Sequence, residues 1–174
     1  AEELGVDPTR IAIGGASAGG GLAAGLALLA RDRGEVPIIF QLLIYPMIDD
    51  RNATPSTHAI TDLRTWHRTS NHNGWAAYLG HEPGGDNISP YAAASRATDL
   101  AGLPPAHIDI GTCDLFLDEN IEYAQRLLQA GVPTELHVYP GAFHGSENLV
   151  PSAALSQRML SQRLQALKRA LHPR

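Results

Sequence analysis

Residues 10–20 read RIAIGGASAGG, a short apolar run that leads directly into a glycine-rich turn. We predict a buried strand over residues 10–14 and a helix over residues 18–33, joined by the G-x-S-x-G pattern of residues 15–19. A serine on such a turn exposes its hydroxyl, and glycines on both sides leave room for the bend. Ser17 is therefore the candidate nucleophile. The N–H of Ala18, at the start of the helix, is the candidate oxyanion donor.

The rest of the chain alternates strands with helices. Strands are predicted over residues 38–45, 106–111 and 134–139, and helices over residues 118–130 and around 160–171. Residues 52–90 predict an inserted segment of loops with two short helices, at 60–70 and 74–79, packed through Trp66, Trp75 and Tyr78. This order predicts an α/β fold, a parallel sheet of about four strands flanked by helices, in a single domain over residues 1–174.

Leucine spacing predicts which face of each helix is buried. The predicted buried positions are Leu22, Leu26 and Leu29, then Ile121, Ala124 and Leu128, and finally Leu160, Leu164, Leu167 and Leu171.

Asp118 is a possible N-cap of its helix. Cys113, which has no obvious base beside it, is expected to be a small buried packing residue.

Two further loops supply the partners that a serine nucleophile requires. Asp114 follows the third predicted strand, and His144 follows the fourth, just before Gly145. The carboxyl ends of parallel strands meet at one edge of a sheet, so these side chains are expected to meet Ser17 there. Asp109 and His137 are weaker candidates because both lie inside strands, where Asp109 would face a helix.

Charge and composition exclude several classes of function. The chain of 174 residues carries 13 Lys and Arg against 18 Asp and Glu, a formal net charge of −5 without a basic cluster, which excludes nucleic-acid binding. The longest uncharged apolar run, residues 36–48, is interrupted by Pro37 and Pro46 and is too short for a membrane span. The single cysteine, Cys113, fits a reducing cytoplasm.

The histidines of the inserted segment do not have the spacing of a metal site. These residues are His58, His67, His72 and His81. No two of them lie three or four residues apart on a helix, and no cysteine accompanies them. The sequence therefore predicts no metal and no cofactor.

Together these stretches resemble the hormone-sensitive-lipase-like family of α/β-hydrolase esterases. The matching stretches are residues 14–20, 45–51, 89–92, 103–105, Asp114 with 118–119, 139–141 and 144–145. The resemblance implies that Ser17 is the nucleophile, that His144 is the general base and acid, and that Asp114 orients the imidazole. It also implies hydrolysis of small carboxylic esters, usually with short acyl chains, through an acyl-enzyme.

The resemblance covers only part of the family's sequence pattern. A His-Gly-Gly-Gly segment that completes the family's oxyanion hole does not occur in the 174 residues, nor do the family's first four strands and its cap. We expect a carboxyl-terminal portion of a larger enzyme, with the first strand as an exposed apolar edge. Such a chain is expected to form a homo-oligomer or to associate with an amino-terminal half, and to be weak or inactive alone.

Other activities use the same residues. An amide, formamide or lactone hydrolase would keep this triad, because the pocket and not the nucleophile selects the leaving group. A branch of the same family binds small ligands without catalysis, although such a protein would be expected to have lost part of the triad.

Overall fold

The computed structural model describes residues 5–172, which form one parallel four-stranded sheet with helices on both faces. The elements are β1 (Ile11–Ala16), α1 (Ala18–Arg33), β2 (Ile38–Ile44), α2 (Pro55–Ala59), α3 (Arg68–Leu79), a 3₁₀ turn (Ala94–Arg96), β3 (Ala106–Cys113), α4 (Leu117–Gln129), β4 (Thr134–Phe143), α5 (Ser146–Leu149) and α6 (Ala154–Leu171). The strand order is β1-β2-β3-β4. The predicted α/β fold is confirmed.

Alternation along β3 separates the two faces of the sheet. Ile108 is fully buried in the core that α1 and α4 cover, where it joins Leu43 of β2 and Leu127 of α4. The next residue, Asp109, points to the opposite face and bonds Arg163 of α6. Within the described residues β1 pairs with β2 alone, so the serine strand lies at an edge of the sheet.

The predicted buried face of α1 is wrong. Leu22 is 55% exposed and Leu26 is 46% exposed, whereas the glycines and alanines of this helix are mostly buried. The reason is close approach to the neighbouring loops. A Cβ atom on Gly21 would lie 2.0 Å from the Met47 carbonyl oxygen, and one on Gly25 would lie 2.0 Å from that of Tyr91. Only glycine permits these contacts, and they determine which side of the helix is buried.

The predicted faces of α4 and α6 are also wrong in part. Ala124 is buried as predicted, but Ile121, Leu128, Leu160 and Leu164 are exposed. The buried positions of these helices include polar side chains that bond inward, such as Asn120 of α4 and Arg163 of α6. Spacing of leucines cannot reveal such faces, because they are partly polar. No helix in residues 5–172 combines the length and the apolar character needed to cross a bilayer.

The helices of the inserted segment begin earlier in the chain than the sequence predicts. The Thr54 Oγ1 caps α2 by accepting a hydrogen bond from the N–H of Thr57, and Pro55 occupies the first turn. Asp118 is not the N-cap of α4: it lies in the first turn of that helix, and its Oδ2 accepts a bond of 2.6 Å from the N–H of Ser56. It therefore ties the amino end of α2 to α4.

The three predicted packing anchors of this segment differ in burial. Trp75 is fully buried in the second core of the molecule, and Trp66 packs against that core partly buried. Tyr78 is half exposed.

Candidate active site

The turn after β1 holds Ser17 in a backbone conformation that side chains rarely adopt, with φ 57° and ψ −123°. The Ser17 N–H donates to the Ile44 carbonyl at 2.9 Å, and the Ser17 carbonyl accepts from the N–H groups of Gly21 and Met47. A Cβ on Gly15 would lie 2.2 Å from the Gly19 carbonyl oxygen, so glycine is required at position 15. A Cβ on Gly19 would meet no atom within 4 Å, contrary to the prediction that both glycines are needed.

Three side chains that are distant in sequence meet at the carboxyl edge of the sheet. The Ser17 Oγ lies 2.9 Å from the His144 Nε2, and the His144 Nδ1 lies 2.8 Å from the Asp114 Oδ2. The structure thus brings together the three residues that the sequence singled out. With the Nδ1 proton held by the carboxylate, Nε2 is left to accept the serine proton.

A backbone hydrogen bond, in addition to the one with the imidazole, holds the carboxylate of Asp114 in place. Its side chain is 1% exposed, and its second oxygen, Oδ1, accepts a hydrogen bond of 3.0 Å from the N–H of Phe116. One oxygen is therefore committed to the backbone and the other to His144. This arrangement holds one orientation of the carboxylate and, through it, one tautomer of the ring.

The His144 ring is packed between two aromatic side chains. The ring of Tyr45 meets it edge to face at 4.9 Å, and the ring of Phe116 does so at 5.3 Å. The left-handed Gly145, with φ 70°, turns the chain into α5 directly after it. The imidazole is 13% exposed, which leaves a path from solvent to Ser17 while the ring stays in place.

Ala18 is the first residue of α1, so its N–H has no acceptor within the helix. The first intrahelical bond comes from Gly21, which donates to the Ser17 carbonyl. An N–H at this position adds the positive end of the helix dipole to a hydrogen-bond donor beside the Ser17 hydroxyl. Its position suits the donor role predicted for it.

A buried polar chain that the sequence did not reveal supports the histidine loop. The Tyr45 hydroxyl donates to the Glu147 Oε1 at 2.7 Å, and Arg163 donates to the same oxygen at 2.7 Å. Arg163 also forms two bonds to Asp109, at 2.6 and 2.8 Å, which confirms that Asp109 faces a helix. Because Glu147 follows His144 by three residues, this network ties the loop to α6 and β3.

The pKa values of this network follow from its contacts. Burial would raise the pKa of Asp109, but the bonds from Arg163 and the nearby His107 ring outweigh burial and hold that pKa below its usual value. Burial, and then the bond to Glu147, raise the pKa of Tyr45. Tyr45 therefore stays a neutral donor at any ordinary pH.

Glu119 is a second support that spacing alone could not identify. It is 2% exposed, and its Oε1 accepts from the N–H groups of Ile48 and Asp49 at 3.0 and 3.2 Å. The neighbouring Asn120 donates to the Pro46 carbonyl at 2.9 Å. These bonds hold the loop after β2 against α4. Burial raises the pKa of Glu119 well above its usual range.

The raised pKa of Glu119 predicts a pH-dependent stability. Above about pH 4.3 the unfolded chain loses this proton while the folded chain retains it, so the contribution of Glu119 to the free energy of unfolding falls by about 1.4 kcal/mol per pH unit until the folded pKa is reached. We expect Glu119→Gln, which keeps an acceptor oxygen and cannot ionise, to remove this contribution. Urea unfolding of both proteins at a series of pH values measures the difference. Equal slopes would show that Glu119 is ionised in the folded chain.

Two cavities are lined in part by residues that adjoin the triad in sequence. One, of about 570 Å³, is lined in part by Ile60, Thr61, Cys113, Phe143 and Leu149. Cys113 is exposed there, so its prediction as a buried packing residue is wrong: β3 has passed the covered part of the sheet at this point.

The other cavity is apolar, measures about 160 Å³ and adjoins Ala18. It is lined by Ala18, Gly21, Leu22, Met47, Trp66, Gly74, Trp75, Tyr78 and Ala92.

Comparison with known proteins identifies the family of the chain. The family profile described as alpha/beta hydrolase fold matches residues 1–148. The carboxylesterase NlhH of Mycobacterium tuberculosis is 40% identical over 99% of this chain and 54% of its own length, and the esterase LipI of the same species is 35% identical over 98% and 53%.

Solved structures give the same result. A bacterial heroin esterase superposes with a TM-score of 0.92 at 51% identity, over 98% of this chain and 55% of that one. The esterase LipW of Mycobacterium marinum superposes with a TM-score of 0.91 at 42% identity, over 99% and 53%. The chain therefore spans about half the length of the relatives it matches. On its sequence, its fold and these relatives, the chain belongs to the alpha/beta hydrolase fold family, in its hormone-sensitive-lipase-like branch.

Proposed function

We propose that the protein is a serine carboxylic ester hydrolase that acts on short-chain esters through an acyl-enzyme. The observation that carries this proposal is the hydrogen-bonded chain from Ser17 through His144 to Asp114, at the end of three parallel strands. The names of the relatives, carboxylesterase and esterase, support the same reaction class.

Acylation would begin with transfer of the Ser17 hydroxyl proton to the His144 Nε2. The Oγ attacks the ester carbonyl carbon, and the resulting oxyanion accepts a hydrogen bond from the Ala18 N–H. Asp114 stabilises the imidazolium without taking its proton. His144 then gives the proton to the departing alcohol oxygen, and the acyl group remains on Ser17.

Deacylation would repeat these roles with water. His144 takes a proton from the water as it attacks the acyl carbonyl, and the Ala18 N–H again stabilises the negative oxygen. Collapse of this intermediate returns the proton to the Ser17 Oγ and releases the carboxylic acid. Each step in the proposed cycle uses only this chain's own residues, the ester and water.

The size of the cavity beside Ala18 supports the proposal that the acyl chain of the substrate is short. An apolar cavity of about 150 Å³ accommodates a group of benzene size, so the 160 Å³ here fits an acyl group of about six carbons or fewer. Trp66 and Trp75 line this cavity, and they would make a longer chain extend outside it.

We also propose that this half-length chain is slow by itself. It supplies the triad and the Ala18 donor, whereas the His-Gly-Gly-Gly donors of the family lie in sequence that the 174 residues do not contain. Loss of one oxyanion donor typically lowers turnover by about 10²–10³-fold. Association with an amino-terminal half, or with a second copy through the edge of β1, would also cover the exposed Leu22 and Leu26.

The test is a p-nitrophenyl ester series with acetyl, butyryl, octanoyl and lauroyl groups, measured on the chain alone and on a longer protein that contains it. We expect kcat/KM to be highest for the two short esters and the longer protein to be faster. A fluorophosphonate should add one label, on the peptide that contains Ser17. A flat or rising profile with chain length would contradict the short-chain assignment, and labelling elsewhere would contradict the nucleophile.

A further inference from the structure

A second cluster of potential ligands lies away from the triad, on the face of the sheet that α6 covers. In the pairing of β3 with β4, His107 stands opposite Glu135 and Asp109 stands opposite His137, so these side chains share one face. His107 precedes Asp114 by seven residues along β3, roughly 23 Å of extended strand. The cluster is therefore separate from the hydrolytic site.

Three of these side chains bring potential metal-ligand atoms close together. The Glu135 Oε1 lies 2.6 Å from the His137 Nε2 and 3.9 Å from the His107 Nδ1. One ligand atom from each residue falls within 4.8 Å of the other two. Ligand atoms bound at about 2.1 Å to one tetrahedral ion lie roughly 3.4 Å apart, so small rotations of the side chains would bring all three onto one ion.

His107 indicates a ligand independently of these distances. The side chain is fully buried, and its Nδ1 has no hydrogen-bond partner within the described residues: the Glu135 Oε1 lies 3.9 Å away. A buried polar atom without a partner costs about 1–3 kcal/mol, and a ligand at this nitrogen would remove that cost. A metal ion at Nδ1 would satisfy that nitrogen.

Asp109 supplies the outer support that a metal-bound histidine normally has. Its Oδ2 lies 3.4 Å from the His107 Nε2, and two bonds from Arg163 hold the carboxylate in place. With its proton on Nε2, directed at Asp109, His107 presents the Nδ1 lone pair toward Glu135. A carboxylate behind a ligating imidazole fixes its tautomer and increases its basicity.

Charge and access also favour a cation. The carboxylates of Asp109, Glu135 and Glu147 are paired with two guanidinium groups, those of Arg163 and Arg169, so one negative charge is left over when both histidines are neutral. The Glu135 side chain is 40% exposed and that of His137 is 22% exposed, which gives an ion a route from solvent. Arg169 pairs with the Oε2 of Glu135, whereas Oε1 shares a hydrogen bond with the His137 Nε2 that an ion bound between the two would replace.

We propose that His107, Glu135 and His137 form a structural zinc site, with a solvent molecule as the fourth ligand. Two imidazoles and one carboxylate are a donor set that Zn²⁺ prefers over Mg²⁺ or Ca²⁺. The ion would bridge β3 to β4, which is the edge strand of the sheet on this side within the described residues. Its effect would be on stability, since it lies far from Ser17.

The test is zinc binding by the full chain after treatment with a chelator. We expect native mass spectrometry to show one Zn²⁺ per chain and the melting temperature to rise with added zinc. Cobalt substitution should give the visible absorption of a tetrahedral site. His137→Gln removes a ligand at a partly exposed position, and we expect it to weaken zinc binding at least about 100-fold and to abolish the cobalt spectrum.

His72→Gln is the matched control. The His72 Nε2 lies 3.3 Å from the Glu82 Oε1, a histidine–glutamate pair at the surface that is not part of the three-residue cluster. This variant should bind zinc as the unmodified chain does. The proposal is overturned if the unmodified chain binds no zinc, if His137→Gln binds it equally well, or if His72→Gln loses it.

Discussion

Replacing Ser17 with alanine is expected to lower kcat/KM for a short-chain ester by about 10⁴- to 10⁶-fold, the largest effect of any single change in the molecule. This loss is expected because the Ser17 Oγ, 2.9 Å from the imidazole, forms the covalent intermediate in the proposed mechanism. Neither His144 nor Asp114 can act as the nucleophile in its place. KM should change little, because a methyl group at position 17 leaves the neighbouring cavity open. Steady-state kinetics with p-nitrophenyl butyrate measure this loss.

Ser146→Ala is a suitable control for this experiment. Ser146 is also a buried serine, two residues beyond His144, and its hydroxyl has no hydrogen-bond partner among the described residues. Its loss should leave the rate within a few-fold of the parent. If Ser17→Ala kept more than a tenth of the activity, hydrolysis would not proceed through Ser17.

Asp114→Asn is expected to lower kcat by about 10⁴-fold while the chain remains folded. An amide at this position retains the acceptor for the Phe116 N–H, but it no longer supplies the negative charge that stabilises the imidazolium. It also lets the His144 ring adopt the tautomer whose Nε2 already carries a proton. Unfolding by urea, measured alongside the kinetics, separates loss of catalysis from loss of structure.

Asp118→Asn provides the comparison for Asp114→Asn. Asp118 is another carboxylate at the start of α4, but it bonds the Ser56 N–H and not His144. We expect a change in stability and less than a tenfold change in kcat. Similar losses of kcat in both variants would mean that Asp114 acts through the structure of this region and not through the imidazole.

The parts of the fold that sequence could predict are those fixed by short segments. β1 and β2 are recognisable as apolar runs, whereas β3 and β4 are recognisable as alternating segments that follow Pro105 and Pro133. The meeting of Ser17, Asp114 and His144 follows from one rule about the carboxyl ends of parallel strands. β4 is predicted to end at residue 139, but it continues through Pro140 and Gly141 to Phe143.

The parts that sequence could not predict depend on contacts between distant segments. The glycine side of α1 is buried because it contacts the loop after β2. The periodicity of residues within α1 does not indicate this contact. Tyr45, Glu147 and Arg163 meet only after β2, α5 and α6 are assembled. When the buried face of a helix carries polar residues, leucine spacing therefore predicts the wrong face as buried.

The proposed zinc ligands illustrate the same difference. Glu135 and His137 lie two residues apart on one predicted strand, so the sequence alone places them on the same face of the sheet. Their relation to His107 depends on the register of β3 against β4, which the loops between them do not specify. The histidines of the inserted segment are more numerous in sequence, but none of them belongs to the three-residue cluster.

The strained backbone at Ser17 makes serine unfavourable for stability at the same position where its hydroxyl is needed for the proposed catalysis. A residue other than glycine in such a conformation costs about 1–3 kcal/mol, and glycine would relieve that cost while removing the hydroxyl. A laboratory selection for heat resistance alone would thus favour an inert variant at this position. On the proposed mechanism, serine at this position therefore supplies the nucleophile at a cost in stability.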